Sequence, residues 1–311
     1  MVQQESLFVD IGEGHKLHLR HIYNAEKAGP MVFLLHGAVE NGKIFYTESN
    51  KGLAPFLAEH GYRCFVADLR GRGDSTPQID PTAQYGQTES ILHEIPAMLD
   101  YIEAEFSARP CYWVAHSWGG VLMNSVFARF PQEIGKVKAC VYFGSKRSLH
   151  NNHPSKLLKA NLIWFKLAHY YAKKHGYLPA KQLGWGSDDE SLKSHAQSAR
   201  WAQKRPWVDS DDGFNYAQAL QQLSLPPTLH IAGVNDKALA QPIDIKAFIK
   251  ESGNGVQEMR VYGKKFGHGH NYGHIDMLTS KHAHNDQFKD LLEWFARYAP
   301  EGSALGQEAA Q

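Results

Sequence analysis

The sequence predicts an α/β protein: a mainly parallel sheet with helices on both faces and a helical segment inserted late in the chain. Three observations carry this. Continuous apolar runs such as "MVFLLHG" (31–37), "YRCFVAD" (62–68) and "CYWVAHS" (111–117) suit strands buried on both faces. Stretches with helical spacing separate them. The alternation stops after about residue 145, and strand character returns only with "PPTLHIAGVND" (226–236).

The elements follow in order. "SLFVDIGEGHKLHLRHIY" (6–23) holds two alternating runs around a Gly-rich turn, an antiparallel hairpin. The run at 31–37 is the first buried strand, and residues 45–60 have helical spacing that stops at Gly61. "YRCFVADLRGRGDS" is a second buried strand entering a Gly-rich loop, and residues 85–106 form an amphipathic helix kinked at Pro96. "CYWVAHSWGG" is a third strand that meets a helix almost without a loop, and "KVKACVYFGS" is a fourth. Residues 146–224 read as helical and aromatic, with Trp164, Phe165, Tyr170, Tyr171, Trp185, Trp201 and Trp207. Lys156, Lys159, Lys166, Lys173 and Lys174 give that segment a solvated basic face. After the strands at 226–236 and "VQEMRVYG" (256–263), a last amphipathic helix spans about 285–298, with Phe288, Leu291, Leu292 and Phe295 on one face. "APEGSALGQEAAQ" (299–311) reads as a frayed tail. The expected organisation is a core domain of residues 1–145 and 225–311 interrupted by an insertion at 146–224.

Of the 311 residues, 43% are hydrophobic and 21% charged, the composition of a soluble globular protein. A formal net charge of +1 gives no reason to expect nucleic acid or an acidic membrane surface as partner. Cys64, Cys111 and Cys140 are few and odd in number, which suits free buried thiols in a reducing compartment. The N-terminus lacks a basic segment followed by an apolar one, and no apolar run has the length of a membrane span. A cytoplasmic location without stable membrane insertion is therefore expected. Composition leaves the oligomeric state open.

In sheets of this kind functional groups gather at the carboxyl ends of the strands. The sharpest signal there is "AHSWGG" (115–120). Ser117 sits on a tight strand-to-helix turn that needs small residues two before and two after it, met by Ala115 and Gly119. Such a turn lifts the hydroxyl clear of the sheet and aims the following N–H, that of Trp118, at a developing oxyanion. The helix that starts there adds its positive dipole end.

On this motif the chain resembles the α/β-hydrolase superfamily from about residue 5 to 298, with Ala115 where the commonest form has Gly. Three further stretches share the resemblance. "LLHGAV" implies Ala38 as the second oxyanion donor, with His36 holding the loop. "DLRGRGDS" resembles the family's Asp-x-Arg-Gly-x-Gly-x-Ser loop, in which Asp68 and Arg70 organise the surroundings. "GVNDKA" implies Asp236 as the acid that orients the catalytic imidazole, with Asp244 in reserve. The resemblance implies an eight-stranded, mostly parallel α/β-hydrolase sheet flanked by helices, with 146–224 as an inserted helical cap.

"GHGHNYGHID" (267–276) brings His268, His270 and His274 within seven positions, all after the last strand. Position alone does not choose among them. "YGHIDML" resembles lipase- and esterase-like members, which implies His274 as the base with His270 next, and Asp276 as a structural residue. The spacing His-x-His-x3-His also allows a metal site. A loop with two freely turning glycines fixes little, and a nucleophilic serine with an oxyanion site needs no metal, so no metal and no cofactor are expected.

The expected chemistry is cleavage of a carboxylic ester, esterase- or lipase-like, through an acyl-enzyme on Ser117. The expected partner is a small-molecule ester with an apolar acyl or alkyl group, lined by His116, Trp164 and His270. Other Ser-His-Asp chemistry (thioesterase, acyltransferase, C–C bond hydrolase or perhydrolase) uses the same constellation and stays open, as does a non-catalytic binding protein on the same fold. Family members that open epoxides or haloalkanes carry Asp at the position of Ser117, so those reactions are disfavoured.

Overall fold

Eight strands form one sheet in the order β1-β2-β4-β3-β5-β6-β9-β10: β1 Val2–Asp10, β2 Lys16–Asn24, β3 Met31–Leu35, β4 Arg63–Asp68, β5 Tyr112–His116, β6 Ala139–Phe143, β9 Thr228–Gly233 and β10 Gln257–Tyr262. The computed structural model describes residues 1–154, 157–203 and 205–299, with backbone only at 157–161. β1 and β2 pair as the expected hairpin, from Val2 opposite Asn24 to Asp10 opposite Lys16, and β2 runs antiparallel to β4. The remaining pairings, β4–β3, β3–β5, β5–β6, β6–β9 and β9–β10, are parallel.

Every residue of β3, β5, β6 and β9 is buried, as apolar runs without alternation require. Their successive side chains enter two separate cores. Phe33, Leu35 and Trp113 pack with Met98, Val121 and Phe127 on one face. Val32, Leu34 and Val114 pack with Phe288, Trp294 and Phe295 on the other. The last helix, Gln287–Arg297, supplies these last three residues.

Two helices differ from the expected spans. Of residues 45–60 only Leu53–Glu59 is helix, and a separate 3-10 turn at Gly42–Ile44 precedes the span. The chain folds back at Gly52 (φ 112°), where a Cβ would lie 2.5 Å from the carbonyl oxygen of Phe45, so helix cannot extend through it. The expected kink at Pro96 takes the form of a wide π turn, Ser90–Glu94, between helical segments Gln87–Glu89 and Ile95–Phe106. Proline has no N–H to donate and crowds the preceding turn, which the wider turn accommodates.

Among the described residues between β6 and β9, none joins the main sheet as a strand. The chain there forms a π helix at Leu157–Ala168 and α-helices at His169–His175, Leu192–Trp201 and Tyr216–Leu220. It also holds a small antiparallel pair, β7 Tyr177–Leu178 with β8 Glu190–Ser191, too short to leave an alternation in the sequence. Lys166, Lys173 and Lys174 are exposed there, whereas Lys156 and the side chain of Lys159 lie outside the described residues, as does the tail from 300 onward. All three cysteines are free thiols. Among the described residues no helix is long and apolar enough to cross a membrane.

Candidate active site

The parallel order brings the carboxyl ends of β3, β5, β6 and β9 side by side, and the loops that leave them build one site. Ser117 joins β5 to the helix Trp118–Arg129 with φ 51° and ψ −116°, a backbone conformation that a side-chain-bearing residue rarely adopts. Its N–H donates to the carbonyl of Phe143 at 2.8 Å, which ties the turn to the end of β6. The crossing is as close as the sequence implied. A Cβ on Gly119 would lie 2.5 Å from the Leu35 carbonyl oxygen and 2.7 Å from that of His36.

His274 and Asp236 meet Ser117 in line. Nε2 of His274 lies 2.8 Å from Ser117 Oγ, and Nδ1 lies 2.5 Å from Asp236 Oδ2. The other carboxylate oxygen of Asp236 accepts the N–H of Leu239 at 3.0 Å. Burial opposes charge on Asp236, but His274, Lys146 and the Ala240 N–H outweigh it and hold the carboxyl well below the usual range. An ionised Asp236 fixes the tautomer: Nδ1–H donates to Asp236 and Nε2 is left to accept the Ser117 hydroxyl proton. Burial pushes the His274 pKa down, Asp236 pulls it up, and Lys146 and His116 push it down further, for a net lowering.

The loop after β3 lies beside the elbow. Gly37 N–H donates to Glu40 Oε2 at 3.0 Å, and His36 Nδ1–H donates to the Gly37 carbonyl at 2.8 Å. His36 Nε2 accepts the N–H of Leu69 at 3.3 Å, so the ring links the loops after β3 and β4. Val39, next in this loop, has φ 51° and is strained like Ser117. Between these anchors stands Ala38. Trp118 is the first residue of its helix, so its N–H has no acceptor within the helix.

Asp68 ends β4, and Arg70 lies in the loop that follows. Buried Asp68 accepts from Gly42 N–H at 2.6 Å and pairs with His18 at 2.7 Å. Arg70 lies 3.3 Å from buried Glu94 and covers the Tyr85 ring. Asp244 has other partners than His274: it caps the helix Pro242–Glu251 and accepts from Asn151 N–H at 2.9 Å and Asn151 Nδ2 at 2.7 Å.

Three residues expected to line a pocket have other engagements. His116 is fully buried, with Nδ1 2.7 Å from Glu40 and Nε2 2.9 Å from the carbonyl of His274. With both nitrogens occupied it braces the backbone of His274. His270 Nε2 lies 2.9 Å from Asp276 on the half-exposed side of its loop. Trp164 packs edge-on against His195 at 4.9 Å, in a small cluster with Val39, Ala168, Ala172 and Leu178. His268 bonds the Gly263 carbonyl at 3.2 Å, so the three histidines of the glycine-rich loop have separate partners. Among the described residues no three His, Cys, Asp or Glu side chains converge as a metal ion would require.

Two charged residues at the site escape sequence reading. Glu40 is pushed up by burial, but His116, His274 and the Gly37 N–H outweigh this and bring its pKa to about 2. Lys146, three residues beyond β6, donates from Nζ to Ser117 Oγ at 3.1 Å. Its only signal in the sequence is its place in the strand-end stretch "FGSKRS" (143–148), where a lysine ordinarily reads as solvated.

A family model for the alpha/beta hydrolase fold matches residues 30–174. The human lysosomal acid lipase/cholesteryl ester hydrolase is 24% identical over 158 residues, 47% of this chain and 40% of that protein. The pig bifunctional epoxide hydrolase 2 is 25% identical over 157 residues, 50% of this chain and 25% of that protein. The chain thus spans less than half the length of these curated relatives. Among solved structures, an esterase from Pyrococcus furiosus superposes with a TM-score of 0.58 at 15% identity, over 96% of this chain and 92% of that one. The family match over residues 30–174, the eight-stranded sheet order and the strand–serine–helix turn at its centre give the chain an α/β-hydrolase fold.

Proposed function

We propose that the protein is a serine hydrolase that cleaves a carboxylic ester through an acyl-enzyme on Ser117. The observation that carries this reading is the continuous chain from Asp236 through His274 to Ser117, 2.5 Å and 2.8 Å long at its two links. His274 Nε2 takes the Ser117 proton as Oγ attacks the ester carbonyl, and ionised Asp236 stabilises the imidazolium that forms. The N–H groups of Ala38 and Trp118 receive the negative oxygen of the tetrahedral intermediate. Collapse expels the alcohol, which takes its proton from His274. Water, deprotonated by the same ring, then releases the acid.

In the same reading, residues 146–224 form a cap over a core of 1–145 and 225–311. Its seams support this role. Asp188 Oδ2 accepts from Asn41 Nδ2 at 2.7 Å and from Gly73 N–H at 2.8 Å, while Val39 O accepts the Ser187 N–H at 2.9 Å. Gln87 Nε2 donates to Ser194 Oγ at 2.7 Å, and its Oε1 accepts from Trp118 Nε1 at 2.9 Å. The inserted segment thereby touches both loops that would hold the oxyanion. Its Trp164 cluster supplies an apolar wall beside Val39, suited to an apolar acyl or alkyl group.

The test is turnover of p-nitrophenyl esters of increasing chain length, with Ser117→Ala as control. The expected result is hydrolysis that falls by at least about 10³-fold in the variant. A variant that keeps the parent's turnover removes Ser117 as nucleophile.

A further inference from the structure

Lys146 is a half-buried cation that has no ion pair among the described residues. Its ammonium has three donors, and the described bond uses one, to Ser117 Oγ at 3.1 Å. The carboxylates whose charge reaches it are Asp236, Glu40 and Asp244. Each is engaged elsewhere: Asp236 with His274 at 2.5 Å, Glu40 with His116 at 2.7 Å, and Asp244 with Asn151 at 2.7 Å. Burial lowers the Lys146 pKa and these three carboxylates only partly offset it. A cation held out of water in this way is ordinarily paired, so the site lacks one anion.

The missing anion is not the reaction's own oxyanion. In the sheet order β3-β5-β6, Ala38 follows β3 on one side of Ser117 and Lys146 follows β6 on the other. The lysine therefore stands across the nucleophile from the Ala38 N–H. Its present bond also occupies one of the two lone pairs of Oγ, which lowers the nucleophilicity of the hydroxyl. A carboxylate is a stronger partner for an ammonium than a hydroxyl is. A substrate carboxylate that drew Nζ away would satisfy the cation and free the nucleophile together.

We propose that Lys146 is a substrate-binding residue that selects esters bearing a carboxylate a few bonds from the scissile carbonyl, the chemistry of a half-ester of a short dicarboxylic acid. The assignment rests on the reading of Ser117 as nucleophile. An apolar alcohol portion remains compatible with the Trp164 wall.

The test is calorimetric titration of the Ser117→Ala protein with monoethyl succinate and with its neutral isostere, ethyl succinamate. The half-ester should bind tighter by about tenfold or more, the scale of one charge-assisted hydrogen bond. Adding Lys146→Gln should bring the ratio of the two affinities close to one, and adding Lys146→Arg should keep a preference for the half-ester. Equal affinities in the Ser117→Ala protein, undetectable binding of both ligands, or a preference that survives Lys146→Gln each overturn the proposal. These readouts are of binding alone. Ester turnover by the unmodified protein, lost in Ser117→Ala, tests the hydrolase reading separately.

Discussion

At the scale of single residues, the site works through which atom holds which proton. His274 can accept from Ser117 only at Nε2 and only when neutral, and Asp236 secures the tautomer that leaves Nε2 free. Asp236→Asn keeps the shape but offers an amide, whose N–H favours the opposite tautomer. Turnover should fall by about 10³–10⁴-fold with little change in unfolding temperature. His274→Ala should cost at least as much, and His270→Ala far less, because His270 is held by Asp276 at 2.9 Å. Comparable losses in the two histidine variants would contradict the assignment. The pH profile follows from the same ring. Because burial and Lys146 lower His274 from its ordinary 6.5, the rise of kcat/KM with pH should have its midpoint below 6.5. Lys146→Gln removes one lowering charge, so the midpoint should move to higher pH. An unmoved midpoint would mean that the lysine charge does not reach the ring.

At the scale of elements, two strained turns must stay in register for the site to exist. Ser117 and Val39, both near φ 51°, are held by what surrounds them. Gly119→Ala puts a Cβ 2.5 Å from the fixed backbone oxygen of Leu35, so the elbow helix must back away from β3. The expected loss is about 1–3 kcal/mol of stability, read by urea unfolding, with turnover lost beyond what stability explains. Glu40 braces the other turn. Its carboxyl falls from the ordinary 4.5 to about 2 on folding, so its contribution is present above pH 4.5 and fades as pH drops toward 2. That shift corresponds to roughly 3 kcal/mol at neutral pH. Glu40→Gln should therefore unfold more easily than the parent at pH 6, with the difference shrinking by pH 3; a constant difference would remove the charge from the explanation. Elements were legible in the sequence where periodicity or a motif marks them: the hairpin, the buried strands and the tight turn at Ser117. Glu40 and Lys146 were not. Each is one charged residue in a loop, and only the meeting of β3, β5 and β6 ends brings Lys146 to Ser117 and Glu40 to His116.

At the scale of the whole molecule, sheet order does the assembling. Ser117, Asp236 and His274 are far apart in sequence, and β5-β6-β9-β10 adjacency brings their loops together. The sheet could be read in advance because its central strands are buried throughout and leave unbroken apolar runs. Residues 146–224 could be read as helical and aromatic, but not how they meet the rest of the chain. Many of their contacts with the core are long-range polar ones, such as Arg129 with Asp209 at 3.2 Å and Asn41 with Asp188 at 2.7 Å, and no local pattern announces them. If the insertion is a cap that steadies the Val39 turn, Asp188→Ala should raise KM more than it lowers kcat and should hasten proteolytic cleavage within 146–224. The central claim is that the assembled molecule activates one serine. A fluorophosphonate probe tests it most directly, since it reports an activated nucleophile without knowledge of the natural ester. The expected result is a single adduct, mapped by peptide mass spectrometry to Ser117, absent from Ser117→Ala and strongly slowed in His274→Ala. No adduct, or one on another residue such as the neighbouring Ser145, would contradict it.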